Sequence, residues 1–493
     1  MWQNSPMTQA SSGHVVVVGS GLAGLSAALE AARAGAQVTV LTPARVGRDS
    51  SSHRVHALAP WILLTAPWAR GDSPRRFLED LRRNGDGLQR DDVTACFAEH
   101  AHDAAVELRE ALDLARMDDQ PVVLPGDAVA RGQRCLSRQT PLLAPLVAEC
   151  LRLGVQVFER ALAVGLLLSG DRVAGVLFLD RPSGAIRESR ADAVILACGG
   201  VGAVFPRTTA PRWCRGSGIA IAGAAGALLH WPNLTQAIPV TATPPLYFPT
   251  TAAVLGGRIL LGEQPLQRQA SLDGATIEIA RAIRHGKAVS LEPMNDDGLA
   301  LLPERVRASP SFARERRVPL AIAVHHAIGG IAIDRSGRTS IAGLYACGEA
   351  AGGVQGRRRM MGTGLLEAWI FGKRSGTAAG LEAGRHAGSR EAAGAGGGRH
   401  GKAAMPALPR DPAALEAAID RRLGPLACLR PADEVIEALT ELEAWPVATE
   451  GQGTDAAWLA AIRRGAAVAM LRSEAGLGGA EIAAGTVHDG GER

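Results

Sequence analysis

The sequence predicts an α/β fold in which short buried strands end in glycine turns, with an α+β insertion in the middle of the chain and a helical bundle at the C-terminus. Three observations predict it. Residues 15–24, VVVVGSGLAG, read as a strand buried on both faces, then a glycine turn, then the start of a helix. Residues 193–200, AVILACGG, and 343–349, GLYACGE, repeat the apolar strand ending in glycine. Residues 227–322 change character, with many Pro and little periodicity, while 412–422, 432–445 and 456–474 return to helical spacing.

The polar residues 1–13 are expected to be disordered. Gly19, Gly21 and Gly24 then give G-x-G-x-x-G between a strand and a helix, the parts of a dinucleotide-binding βαβ unit. Gly19 permits the tight turn, Gly21 lets backbone approach a pyrophosphate, and Gly24 lets helix and strand pack closely. Leu22 and Ala23 lie in the helix's first turn, where free N–H groups and a partial positive charge suit phosphate. Any glycine-rich strand-to-helix turn can imitate the motif, so its flanks carry the reading. Residues 38–41 form the second parallel strand. An acidic residue that grips the ribose is expected after it; the chain has Thr42-Pro43.

Residues 49–52 read as a polar turn, and Asp72-Ser73-Pro74 as the cap of a helix reaching Arg83. A further helix is expected over 92–112, and strands at 155–158 and 173–179 read together as an antiparallel excursion. A helix over 365–380 precedes a linker at 381–404, rich in Gly, Ala, Arg and His and expected to be flexible. Asp411 and Pro412 open the first C-terminal helix. The expected divisions are 14–226 and 323–380 for the nucleotide domain, 227–322 for the cap and 405–493 for the helical domain.

Composition excludes several classes. A net charge of +4 over 493 residues gives no footprint for nucleic acid. No apolar run is long enough to span a membrane. The N-terminal residues lack a basic stretch before an apolar core, so no secretory signal is expected. Seven dispersed Cys without C-x-x-C point to a reducing, cytoplasmic setting and against an iron–sulfur cluster or other metal.

GSGLAG at 19–24, ACGG at 197–200 and GLYACGE at 343–349 stand in the order used by flavoproteins whose FAD domain is split by a cap. The chain resembles the fumarate reductase/succinate dehydrogenase flavoprotein superfamily and, within it, the L-aspartate oxidase family. That family carries Ser or Thr after its second strand, as Thr42 does here, and its helical domain is similar to LRPADEVIEALTELEA at 429–444. The resemblance implies a split Rossmann-like FAD-binding domain. Gly19, Gly21, Leu22, Ala23 and Gly24 would hold the pyrophosphate, with Gly199 and Gly200 in the second motif. Ser51 and Ser52 would lie near the flavin, Gly348 and Glu349 at the ribityl chain, and Leu365 and Leu366 beside the isoalloxazine ring.

The resemblance also implies a substrate site. His325-His326-Ala327-Ile328-Gly329-Gly330 matches the family's H-x-x-x-G-G, with His325 in the catalytic position, and Arg359 falls on the substrate-binding arginine. A guanidinium holds a carboxylate by two parallel hydrogen bonds, and an imidazole serves another oxygen. The implied reaction passes a hydride from the substrate to FAD, then electrons to oxygen or fumarate; in the family the product feeds NAD synthesis.

Several family positions are not matched. The cap's His-Pro-Thr reads Ile238-Pro239-Val240, and Thr-Glu-x-x-Arg-Gly-Glu reads Thr251-Ala252-Ala253-Val254-Leu255-Gly256-Gly257. Pro-Arg-Asp aligns with Ala275-Thr276-Ile277, Gln-Gly-Gly with His56-Ala57-Leu58, and the histidine of His-Gly-Ala with Gln355. Losing one charged anchor costs about 3–5 kcal/mol on the scale of a broken buried ion pair. Two alternatives therefore stand beside aspartate oxidation: a flavoprotein with a less charged substrate, and a flavin-binding but catalytically silent subunit.

Overall fold

A computed structural model describes residues 13–58, 61–68, 71–117, 120–121, 123, 129–243, 257–267, 272–295, 299, 302, 304–392, 402–423, 432–447 and 454–475. Strand β1 (His14–Val18), helix α1 (Leu22–Arg33) and strand β2 (Gln37–Leu41) form the expected βαβ unit. Val15 to Val18 are buried on both faces, which is why four consecutive valines show no alternation. Helix α2 (Ser51–Leu58) replaces the expected polar turn, so Ser51 and Ser52 open a helix. Helices α3 (Pro74–Gly85) and α4 (Asp91–Ala111) follow, the first capped by Ser73, whose side chain accepts from Arg76 N.

Strand β3 (Gln156–Phe158) pairs parallel with β2, Thr39 opposite Gln156. It is the edge of the main sheet, not part of an antiparallel excursion. That excursion is β4 (Ala161–Ser169), β5 (Arg172–Asp180) and β6 (Ala185–Arg190). β4, ALAVGLLLS, is buried along most of its length and so carries no period-two signal.

β7 (Ala193–Leu196) returns to the main sheet beside β1, and helix α5 (Ser217–Ala224) leads to the cap. There β8 (Thr235–Thr241), β9 (Gly257–Leu261), β10 (Val289–Pro293) and β11 (Val318–Ala327) form an antiparallel sheet, with helix α6 (Leu272–Arg284) packed on it. Ile279, Leu291, Phe312, Leu320 and Ile322 give this sheet its own core. β11 runs through the expected boundary at 322 without a break. β12 (Leu344–Ala346) pairs parallel with β7 and completes the main sheet, in the order β12-β7-β1-β2-β3.

Helix α7 (Gly364–Ala392) lies against α1 and runs twelve residues past the expected end at Gly380. Its glycines 372, 376 and 380 recur every four residues on one face. A Cβ at Gly372 would fall 2.0 Å from Ser26 Oγ, and one at Gly376 2.2 Å from Ala27 O. They are contact positions that bring two backbones together, not helix stops. The flexible linker expected at 381–404 is corrected accordingly. Residues 381–392 are helical, with Ala383 buried, and β13 (Lys402–Ala404) pairs antiparallel with β4. Residues 393–401 lie outside the described residues.

Helices α8 (Pro412–Arg422), α9 (Ala432–Glu443) and α10 (Asp455–Glu474) follow, with Asp411 accepting from Ala414 N at 3.0 Å. Leu415, Ile419, Leu439 and Leu471 pack together and against Val201, Val204 and Ile219, so the helical domain is docked on the nucleotide domain. Arg463 secures it by donating to Val204 O at 2.7 and 3.0 Å.

Candidate active site

The three motifs, up to 325 residues apart, end on three adjacent parallel strands, β12, β7 and β1. Parallel strands deliver their C-terminal ends to one edge, where ligands of such sheets bind. A cleft opens there, lined by Gly19, Ser20, Gly21, Leu22 and Ala23 from the first motif and by Ala197, Cys198 and Gly199 from the second. Thr42, Pro43, Ser51, Ser52, Trp213, Cys214, His325, His326, Glu349, Arg359 and Leu365 complete most of its wall.

The glycines of G-x-G-x-x-G separate by role. Gly19 sits at φ 112°, and a Cβ there would fall 2.2 Å from Ala197 O. A Cβ at Gly24 would fall 2.0 Å from Gly19 O, so this glycine brings helix to strand. At Gly21 the nearest protein atom to a Cβ is Ser50 Cβ at 3.4 Å, so the protein itself leaves this position open on the cleft side. Gly21 is also the N-cap of α1 and brings no side chain to cap it; the first turn has no acidic residue, and Ser52 Oγ accepts from Leu22 N at 3.3 Å. The positive end of a twelve-residue helix therefore faces the cleft with no acidic residue of its own first turn to neutralise it, which suits a pyrophosphate. The residues present fit FAD. Thr42, where an acid was expected, accepts a hydrogen bond from Ser20 Oγ at 3.0 Å.

Other expected contacts divide between the wall and what stands behind it. Ser51, Ser52, Gly199, Glu349 and Leu365 line the cleft. Leu366 does not: it is fully buried in the main core, because successive helical residues point about 100° apart. Gly200 and Gly348 are packing positions. A Cβ at Gly200 would fall 2.4 Å from Glu349 Oε1, and one at Gly348, which has φ 63°, 2.6 Å from Ala23 Cβ.

The substrate-side residues form one buried cluster. His325 Nδ1 bonds Thr209 Oγ1 at 2.8 Å, and His326 Nδ1 lies 3.8 Å from Glu349 Oε1. Glu349 Oε1 accepts from Ala327 N at 2.8 Å. Arg359 Nη1 donates to Gln236 Oε1 at 3.1 Å, and its buried Nε has no partner among the described residues. Glu367 Oε2 accepts from Gln355 Nε2 at 3.0 Å. Burial, followed by the charge of Arg359, pushes His325 down to about 3, so its imidazole is neutral. Burial pushes Glu349 and Glu367 up to about 7, against the pull of Arg359. It also lowers Arg359 below its ordinary range, while the two glutamates act to restore it.

Sequence reasoning missed Thr209, Trp213, Cys214, Gln236 and His326. Thr209 to Cys214 lie in a loop without regular structure, and Gln236 sits in a strand read for its missing histidine. Burial pushes the thiols of Cys198 and Cys214 up to about 12, so neither is a nucleophile. Of the unmatched cap positions, Ile238 is buried with Val240 and Ala323, and Thr276 is buried on α6. Residues 251–256, which include Ala252 and Leu255, lie outside the described residues. Arg54 and Arg359 are the cations lining the cleft among the described residues. No group of three His, Cys, Asp or Glu among the described residues could hold a metal, and no described helix is long and apolar enough to cross a membrane.

A glycine-turn cleft shared by two chain segments, with a buried arginine at one end, defines a flavoprotein oxidoreductase of the split FAD-domain class. The family model described as an FAD binding domain matches residues 14–251 and 294–365. The chain is 32% identical over 403 residues to the L-aspartate oxidase of Caulobacter vibrioides, covering 74% of this chain and 76% of that protein. It is 31% identical over 418 residues to the L-aspartate oxidase of Halobacterium salinarum, covering 76% and 77%. A solved quinol–fumarate reductase matches with a TM-score of 0.73 at 20% identity, covering 94% of this chain and 90% of that one. The chain belongs to the L-aspartate oxidase family of the fumarate reductase/succinate dehydrogenase flavoproteins. It is an FAD-dependent oxidoreductase, its cofactor is FAD, and a small carboxylate is the substrate class that fits its relatives.

Proposed function

We propose that the protein oxidises a small amino or carboxylic acid at the carbon beside its carboxylate, with L-aspartate, the substrate its relatives are named for, as the leading case. Arg359 carries the reading. It is a buried guanidinium whose Nε has no partner among the described residues, in the same cleft as an open pyrophosphate site. Burying such a charge is costly unless an anion meets it.

When bound, FAD accepts the hydride. Arg359 grips the substrate carboxylate and orients the reacting carbon. His325, neutral and held by Thr209, hydrogen-bonds a second oxygen. For an amino acid the nitrogen then loses a proton, and the resulting imine hydrolyses in water. The electrons pass on to oxygen or fumarate, and the protein works in the cytoplasm.

A second reading rests on the cap. Ile238 lies in an apolar cluster and Thr276 is uncharged, and no cation of the cap lines the cleft among the described residues. A monocarboxylate, or an acid with one apolar end, suits that wall. A silent flavin-binding subunit would need no buried cation in the cleft. The deciding experiment mixes the purified holoprotein anaerobically with L-aspartate, succinate and neutral amino acids and follows flavin absorbance. Selective bleaching by L-aspartate supports the leading reading, and bleaching by neutral acids alone supports the second. No bleaching by any carboxylate defeats both.

A further inference from the structure

Arg181, immediately after β5, touches three parts of the molecule at once. Its Nε and Nη2 donate to Asp455 Oδ1 and Oδ2 at 2.9 and 2.7 Å, a two-point pairing with the first residue of α10. Its Nη1 donates to Pro43 O at 3.1 Å. Its guanidinium carbon lies 4.7 Å from the ring centre of Trp213, and that of Arg212 lies 4.5 Å from the same ring. Pro43 and Trp213 both line the cofactor cleft. Pro43 follows Thr42, the position from which an acidic residue would grip a ribose. Thr42 has no charge, and its hydroxyl bonds Ser20.

From this geometry we propose that Arg181, held in place by Asp455, braces the adenosine end of the cleft and sets how tightly FAD is retained. The wall there is built from two loops, at Pro43 and Trp213, and one planar guanidinium spans both. A planar fork constrained by a carboxylate loses little further freedom when it bonds a carbonyl and stacks on a ring. The loops are then ordered before the cofactor arrives, which lowers the entropy cost of binding. The helical domain thereby acts on a ligand at a distance through one ion pair. Its docking does not depend on that pair, because Arg463 and the apolar contacts around Leu415 and Val204 hold it separately.

The test uses the full-length protein stripped of flavin and titrated with FAD by flavin fluorescence, and with ADP by calorimetry. Asp455→Asn and Arg181→Lys are compared with Glu437→Gln, which breaks an ion pair with Arg422 elsewhere in the same domain. Both brace variants should raise the dissociation constants of FAD and ADP about fivefold, the upper range for a partly exposed pair. The visible flavin spectrum should stay that of wild type, and the apoprotein should melt as Glu437→Gln does. Constants within about twofold of wild type for both ligands would overturn the proposal. So would weakened FAD with unchanged ADP, which places the effect at the isoalloxazine end. A drop in apoprotein melting temperature that accounts for the lost affinity would make the pair purely structural and would overturn it too.

Discussion

Gln236 and Arg359 hold each other at two points: Arg359 Nη1 donates to Gln236 Oε1 at 3.1 Å, and Gln236 Nε2 donates to Arg359 O at 3.2 Å. Gln236 lies on β8 opposite His326, beside a break in strand register between Gln236 and Ala237. One amide thus holds both the head and the backbone of the candidate carboxylate anchor. Gln236→Leu should raise KM for the carboxylate substrate about tenfold, as expected for losing a hydrogen bond to a charged group, with a smaller change in kcat. Steady-state kinetics checks this, and a fall confined to kcat would contradict it.

Arg359→Lys tests the anchor itself. A point charge cannot reproduce the two-bond fork, so most activity should be lost while bound FAD remains. Unchanged turnover would remove Arg359 from the substrate site.

Gly21→Val and Gly24→Val should fail differently. A Cβ at 21 meets Ser50 and Ser52 only at ordinary contact distances of 3.4 Å and more, and a side chain there stands on the cleft side, so the chain should fold without FAD. Valine at 24 collides with Gly19 O and should lower the melting temperature of the apoprotein. Absorbance at the flavin bands and thermal melts of the apoproteins separate the two outcomes.

The two buried glutamates give a pH dependence with a definite sign. Below about 7, Glu349 and Glu367 are mostly neutral and leave the charge of Arg359 to the substrate. As pH rises through about 7 they ionise and oppose an incoming carboxylate, so KM should rise. Their folded values lie above the ordinary 4.5, so the stability they contribute is present below about 4.5 and lost as pH rises through about 7. Glu367→Gln should flatten both trends, seen in KM against pH and in apoprotein melts at pH 5 and 8. A KM independent of pH would place the carboxyls away from the bound substrate.

The sequence was most legible where one residue type has one physical reason to be present. The glycines at 19 and 24, the valines of β1 and the caps at Ser73 and Asp411 each satisfy a local demand, and each stands where the pattern placed it. Legibility failed where the partner is remote. The expected helix ends at Gly380, but α1 lies against that glycine and the helix runs on. β4 is apolar throughout and gives no alternation to find. Leu365 and Leu366 were inseparable until the helix set their directions. Gln236 matters through Arg359, 123 residues away, and nothing near it in the chain announces that.

The strand order β12-β7-β1 also bears on how the molecule comes into being. A ribosome delivers β1 first, yet the neighbour that completes the cofactor edge appears only after residue 343, with the whole cap synthesised in between. Contacts of such long separation form late, because the loop must close before they repay its entropy. A nascent chain ending before Leu344 already carries the glycine turn but lacks Glu349, Arg359 and Leu365. The cleft that fits FAD is lined by both segments, so a ligand that fills it favours the joined form over the open one. Capture of the flavin marks a chain whose two halves have found each other.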